Sequence, residues 1–507
     1  MTTNRRDFIK FVVAGTIAAG CPIDSSLLAQ TDQTPSVESE ENRICHMVRD
    51  GRIFERPPVT ARHDVVVVGG GVSGLAAAFI LRHRDCLLLE KESHWGGNAY
   101  TMEYQGFPYA TGSAFLSSNN DAAYAFAKEI DLDALPINNW DGSIIRGEYI
   151  PDTWGDGIDR LPYTASVREG FKRFKRDLLS IDVERHSLEL FKVPLSQFMK
   201  ESPAELKLWW DAYGLSNWGA TTEETPAALA IRELQSFAGD NRRDVRFTWL
   251  GGNGAITKRL AELLQRQYAP NMQNGATVVA VTSAQAEVQV TYIQGSELKT
   301  VAAKAVIMAL PKFIARRVIE GLPERQSSAM NQIRYIPYPV VNLIFDKPVF
   351  DRGYDTWCPG NIFTDFVVAD WVLRSRSDYR AKARILTCYT PMHEEDRGYL
   401  LSEQGARKIA ANVLRDFQRL GTAMNVDPVE VHIYRRGHPL FKSTLGLYTD
   451  VQPVARQPVG RVFFANSDSE GPEPTIDGAI ISARRCAREV ESRLAGVPMS
   501  GRATRSK

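Results

Sequence analysis

The sequence predicts an α/β fold: a three-layer ββα/βα domain interleaved with an α+β domain that contains a mixed sheet. Three observations lead there. A β-branched run, Asp64-Val65-Val66-Val67-Val68, passes straight into Gly69-Gly70-Gly71-Val72-Ser73-Gly74 and a small-residue helix pattern from Leu75. Two further blocks of buried-strand and glycine pattern stand far downstream, at 249–311 and 461–480. Between the blocks lie long stretches with helix and strand periods of their own. A chain of 507 residues allows two or three domains. Hydrophobic residues at 44% suffice for a large core, and 61 basic against 60 acidic side chains supply no net basic field. That balance excludes nucleic-acid binding and a disordered chain. Six cysteines are too few for a disulfide scaffold.

The N-terminus reads as an address. Asn4-Arg5-Arg6-Asp7-Phe8 precedes an apolar stretch from Phe11 to Gly20, too short to span a bilayer. Charge on the N-terminal side only, then a short apolar region ending in small residues, fits a twin-arginine export signal over residues 1–30. Ala18-Ala19-Gly20-Cys21 resembles a lipoprotein-processing site, which makes Cys21 a candidate lipid anchor; cleavage near Ala29 is the alternative. Residues 31–61, rich in Ser, Thr, Gln, Glu and Pro, read as a flexible tether, and 496–507 as a tail. The twin-arginine route carries folded proteins. It therefore implies a cofactor inserted in the cytoplasm and a final place in the periplasm or on the outer face of the cytoplasmic membrane.

The glycine run is a Rossmann-like dinucleotide fingerprint. Gly69 makes the tight turn, Gly71 lets the backbone approach a pyrophosphate, and Gly74 lets helix and strand pack closely. The amides around Val72 and Ser73 open the helix and face the anion. A second strand, Cys86-Leu87-Leu88-Leu89, ends in Glu90 and Lys91. Glu90 stands where a carboxylate accepts the ribose hydroxyls of an adenosine.

Beyond it comes Trp95-Gly96-Gly97-Asn98, a second glycine pair that an NAD fold does not need. Here the sequence resembles the superfamily of flavin amine oxidases, protoporphyrinogen oxidases and phytoene desaturases. The resemblance implies FAD, with Gly96 and Gly97 passing against its pyrophosphate and ribityl. The residue after the pair is usually Arg in that superfamily, and Asn98 departs from it. Tyr109-Ala110-Thr111-Gly112-Ser113-Ala114 resembles the segment beside the isoalloxazine, which assigns Gly112 and Ser113 to the cofactor. Trp249-Leu250-Gly251-Gly252, the helix after it, strands at 277–281 and 287–292 and the strand Ala305–Leu310 follow the same family order. The resemblance gives Val279 a backbone contact to adenine. At the C-terminus, Arg461–Asp468 is a strand with a polar end, and Thr475-Ile476-Asp477-Gly478-Ala479 opens a helix. Asp468 is expected to accept a ribityl hydroxyl. The amides near Ile476 and Ala479 are expected to aim at the flavin pyrimidine.

The resemblance covers roughly 62–117, 247–350 and 455–493. Within the superfamily, Ala465-Asn466-Ser467-Asp468, Arg456–Arg461 and Pro337–Asn342 resemble bacterial spermidine-dehydrogenase-like members. It divides the chain into an FAD-binding domain (62–117, 247–334 and 451–495) and a substrate domain (118–246 and 335–450). In many oxidases of the family a strand lysine is bridged by water to flavin N5. The corresponding strand here, Val340-Val341-Asn342-Leu343, has none, which favours a dehydrogenase and puts Asn342 in the candidate catalytic set. Tyr434 is a candidate aromatic wall and His438 a candidate base. Trp218 and Trp357 are candidate cage walls with core packing as the favoured reading. Asp365 and Asp370 are candidate amine ligands with a surface position as the favoured reading. No cysteine or histidine spacing suggests a metal site or a covalent flavin link, so FAD is expected to be non-covalent.

The expected activity is oxidation of an amine or polyamine C–N bond by hydride transfer to flavin. A periplasmic carrier, a quinone or oxygen would accept the electrons. The alternatives are C–C desaturation of a lipid-like or porphyrin-like substrate, and a flavin-binding surface lipoprotein without turnover.

Overall fold

The computed structural model describes residues 34–118, 121–239, 242–284, 286–375 and 384–496. The expected export signal, Cys21 and the expected tail beyond Gly496 lie outside the described residues.

Three distant blocks of sequence converge on one seven-stranded sheet. Val59–Val68 pairs in parallel with Cys86–Leu89 on one side and with Glu297–Met308 on the other. Val65, Val66 and Val67 are fully buried, as a β-branched run covered on both faces should be. Glu297–Met308 is long enough to serve two partners on its other edge. Its first half closes an antiparallel meander with Val288–Gln294 and Ala276–Ser283; its last three residues pair with Val462–Phe464. The helices Val72–Ile80, Gly254–Tyr268 and Ile476–Leu494 cover one face through Leu75, Ile256, Leu260, Ile480 and Val490. The first and third begin at the cavity, at Val72 and Ile476, which points two positive helix ends at it.

The second domain is built on an eight-stranded mixed sheet. Its order is Ser36–Ser39, Glu430–Arg435, Val340–Ile344, Ile385–Tyr389, Asp365–Val368, Asp355–Trp357, Gly142–Ile145 and Glu148–Ile150. The amphipathic helix Glu403–Arg419 packs Ile409, Val413 and Phe417 on its outer face; Ser402 caps that helix, accepting from Gly405 N at 3.0 Å. The helices Ala165–Leu179, Ala204–Trp218 and Ala227–Ala238 form a separate cover around Trp154, Trp209, Trp210 and Trp218. The second of these ends at Trp218, where Gly219 takes a left-handed conformation at φ +66°. Trp218 is core, as the favoured reading had it.

Residues 34–61 are not a structureless tether. Ser36–Ser39 is an edge strand parallel to His432–Arg435, and Arg43–Arg49 is a helix against Ala276–Ser283 and Lys312–Val318. Between them Glu41 N donates to Glu92 Oε1 at 3.1 Å, and Arg317 donates to Arg49 O at 3.1 Å. This segment crosses from one sheet to the other as a strap. Composition misled because an edge strand is held by backbone pairing and can keep polar side chains in solvent.

Candidate active site

A cavity of about 1210 Å³ runs between the two sheets and under the strap. It exceeds the roughly 300–1,000 Å³ of a pocket for one small ligand, so a cofactor and a substrate fit together. Its first end is a glycine cradle. Gly69 stands at φ +110°, with Ala309 O only 2.4 Å from where a Cβ would be. Gly71 is different: a Cβ there meets nothing within 4 Å, so its missing side chain is open cavity. Gly97, at φ +58°, lies over it, 3.2 Å from Gly71 Cα to its own Cβ position. Gly96 N donates to Gly70 O at 2.9 Å and locks the two turns together. Glu90 is buried and fixed by two amides, Gly70 N at 2.5 Å and Glu92 N at 2.8 Å, with its rim on the cavity. Burial outweighs those amides and pushes its pKa up. Val72, Ser73, Lys91, Asn98, Gly112, Ser113, Ile476 and Ala479 also line the cavity. Gly74 does not: a Cβ there would sit 1.9 Å from Gly69 O, so it is a packing glycine as the spacing implied.

Two expected cofactor residues are elsewhere. Val279 is skipped in the strand register between Val278 and Ala280, so the bulge turns Val278, with Ala276 and Thr277, to the cavity. Asp468 is 1% exposed and engaged by protein. It accepts from Lys312 Nζ, from Lys312 N at 3.0 Å and from Tyr335 Oη at 2.5 Å. Asn466 and Ser467, two residues and one residue earlier, face the cavity instead. Lys312 is fully buried, and burial lowers its pKa, opposed by Asp468. Asp468→Asn is therefore expected to cost about 3–5 kcal/mol in denaturant unfolding, because an unpaired ammonium remains in the core. Titration with FAD should show little change in affinity for that variant; a large loss would restore the ribityl role.

The far end of the cavity is acidic and aromatic. Ser216, Tyr338, Asp355, Trp357, Asp365, Tyr389 and Glu473 line it. Asp365 is buried, not a surface acid, and accepts from Ser216 Oγ at 2.8 Å and Thr364 Oγ1 at 2.6 Å. Burial pushes its pKa up to about 7 against those two hydrogen bonds. Burial, then the neighbouring Glu233, takes Glu473 up to about 8. Asp355 is raised well above the carboxylate range by burial, then by Asp141 and Asp365, and its Oδ1 has no partner. Among the described residues none of the three is in an ion pair. Asp370 is buried too but does not line the cavity.

The candidate catalytic residues separate. Tyr434 faces the cavity, its hydroxyl 3.4 Å from that of Tyr109, and burial raises its pKa. His438 reaches the cavity beside Phe313, at 4.7 Å between rings. Burial and then Arg397, His46, Arg49 and Arg317 bring its pKa down to about 4. Its charged neighbours are thus the strap and the arginines, not the carboxylates. Asn342 does not line the cavity. It is fully buried and donates to Ala110 O at 3.1 Å and Thr387 Oγ1 at 2.8 Å, tying the mixed sheet to the segment before Gly112. The pattern missed Asp355, Glu473, Arg436 and the strap. Only Glu473 had a local signal, since the flanking Pro472 and Pro474 restrict its backbone.

Comparison with known proteins agrees with this geometry. Residues 72–491 match the model of the family described as flavin containing amine oxidoreductase. The chain belongs to that family. Oxidoreductase PigB of Serratia sp. (strain ATCC 39006) is 24% identical over 86% of this chain and 76% of its own. Pig flavin-containing amine oxidase B is 22% identical over 87% of this chain and 88% of its own. A solved putrescine oxidase with bound putrescine covers 86% of this chain and 100% of its own, at 19% identity and a TM-score of 0.66. As a flavin amine oxidoreductase the protein is an FAD-dependent enzyme. The open space at Gly71, the amide-held carboxylate of Glu90 and the helix start at Ile476 fit that cofactor.

Proposed function

We propose that the protein is an exported dehydrogenase that oxidises a C–N bond of a diamine or polyamine. The observation that carries this reading is the trio of Asp355, Asp365 and Glu473 on the cavity wall, three carboxylates of which none is in an ion pair among the described residues. Bound FAD supplies a hydride acceptor for the carbon beside the reacting nitrogen. The protein's residues do the rest. Asp365 and Glu473 hold an ammonium remote from that carbon, and its charge favours their ionised forms. Tyr338, Tyr389 and Trp357 exclude water around it and offer aromatic faces to a cation. Tyr389 also donates to Gly112 O at 2.8 Å, which ties this wall to the segment assigned to the flavin.

A dehydrogenase is favoured by the lining itself: among the described cavity residues Lys91, in the glycine cradle, is the one lysine. Electrons then pass to a periplasmic carrier or a quinone in preference to oxygen. Export by the twin-arginine signal, a Cys21 lipid anchor and non-covalent FAD complete the reading. The test is anaerobic mixing of the purified holoenzyme with diamines, polyamines, monoamines and uncharged lipid-like or porphyrin-like compounds. Rapid bleaching by diamines or polyamines is the expected result. Bleaching by the uncharged compounds alone replaces this reading with C–C desaturation. No bleaching by any compound, with an artificial acceptor also idle, leaves a flavin-binding protein without turnover.

A further inference from the structure

Arg436 has no role in the sequence reading, yet it is the most unusual charge on the cavity wall. It follows the strand Glu430–Arg435, is 7% exposed and lines the cavity beside the glycine pair and Asn98. No carboxylate lies within 4.0 Å of it among the described residues. Its guanidinium donates to Thr111 O and, at 3.0 Å, to Thr111 Oγ1. Those two bonds aim it across Gly112, where a Cβ would come 2.6 Å from Nη1. Gly112 is a glycine because Asn98 O closes on the same place from the backbone, with this guanidinium beside it.

A buried guanidinium held only by neutral groups is costly unless an anion arrives. Burial pushes its pKa down, while Glu40 on the strap, Tyr434, Tyr389 and Glu92 act on it from a distance. Asn98, which directly follows the glycine pair, cannot supply the missing charge. Its amide is turned away, donating to Pro439 O at 2.8 Å. Lys91, the other cation near the pair, is already matched by Glu92.

We propose that Arg436 is the counter-charge for bound FAD, delivered from the substrate sheet to the wall of the glycine cradle. The negative charge it meets is either the pyrophosphate or the charge that the flavin ring acquires on reduction. Either way one residue of the substrate domain couples that domain's position to the cofactor's charge.

The test compares Arg436→Gln and Arg436→Lys with the parent protein by FAD titration of the apoprotein, by the flavin reduction potential and by apoprotein melting temperature. A charge-assisted hydrogen bond to an ionic partner is worth a factor on the order of 10–100. Arg436→Gln is expected to weaken FAD binding by about that factor if the partner is the pyrophosphate. If the partner is the reduced ring, the potential becomes more negative while oxidised FAD binds nearly as before. Arg436→Lys should recover part of either effect. The apoprotein melting temperature should hold or rise, since an unpaired buried charge has gone. A fall in that temperature with unchanged affinity and potential overturns the proposal and leaves Arg436 a structural clamp on Thr111. Should Arg436→Gln fail to fold, Thr111→Val, which removes one orienting acceptor, carries the same comparison: lowered affinity or potential supports the proposal, and neither overturns it.

Discussion

Exchange of Asp365 for Asn together with Glu473 for Gln is expected to lower kcat/KM for a diamine by about 10²- to 10³-fold. The same pair of substitutions should change turnover of a short monoamine far less, because the remote ammonium is absent. Both replacements keep size and hydrogen-bonding shape. Ser216 and Thr364 still find an acceptor at position 365, so the loss is one of charge and not of packing. The proton linkage gives a second readout. With no amine bound, Asp365 stands near 7 and Glu473 near 8, above the ordinary carboxylate values of 3.8 and 4.5. Both folded values are raised. Their contribution to stability is therefore complete below those ordinary values and is lost as pH rises through about 7 and about 8. A bound ammonium reverses the preference, because it favours the ionised carboxylates. Thermal stabilisation by a diamine is thus expected to grow between pH 6 and pH 8.5, with proton release on binding at the lower pH. The double variant should show a flat response. Equal losses for diamine and monoamine, or the same pH response in the variant, would remove the ammonium-anchor role.

The glycine framework was legible because its demands are local. Gly69 and Gly74 each answer a steric need set by residues a few positions away or by a neighbouring strand, Gly71 keeps space open for a ligand, and the chain writes such needs as a short motif. Val279 and Asp468 failed for equally local reasons. A bulge moves the cavity-lining position to Val278, and a buried lysine, Lys312, had already claimed the carboxylate. Neither a bulge nor the partner of a buried charge leaves a mark on the residue itself. The acidic end was illegible because no segment contains it. Ser216 comes from the helical cover, Tyr338 from a crossing loop, Asp355, Asp365 and Tyr389 from three strands, and Glu473 from the C-terminal block. Only the sheet order brings them together. Asp365 was read as a surface acid because a lone aspartate normally is one. Burial on a cavity wall made it the exception. The strap failed on a different count: its partners are backbone groups of His432–Arg435, to which composition is blind.

Two substitutions three residues apart should separate the cofactor site from the fold. Gly71→Val is expected to leave the apoprotein's melting temperature nearly unchanged and to weaken FAD binding by about 10²-fold. Gly71 has φ −77° and ψ −173°, extended backbone that valine favours, and nothing lies within 4 Å of its Cβ position. The new side chain meets only the cavity. It stands where Gly97 crosses over the turn and where the pyrophosphate must approach the backbone. Overpacking of that kind costs ~1–3 kcal/mol, here borne by the complex alone. Gly74→Ala is the reverse case. Its methyl would lie 1.9 Å from Gly69 O and 3.2 Å from Ala309 Cβ, inside the contact between the fingerprint helix and the sheet. Helix and strand must separate, so the apoprotein itself should lose ~1–3 kcal/mol or more, and FAD affinity should fall only as the turn distorts. The measurements are urea unfolding of both apoproteins and titration of each with FAD. If Gly71→Val destabilises the apoprotein as much as Gly74→Ala does, the open space at Gly71 is not a ligand's place. If it binds FAD as tightly as the parent, the pyrophosphate does not pass there, and the cradle of Gly71 and Gly97 has another purpose.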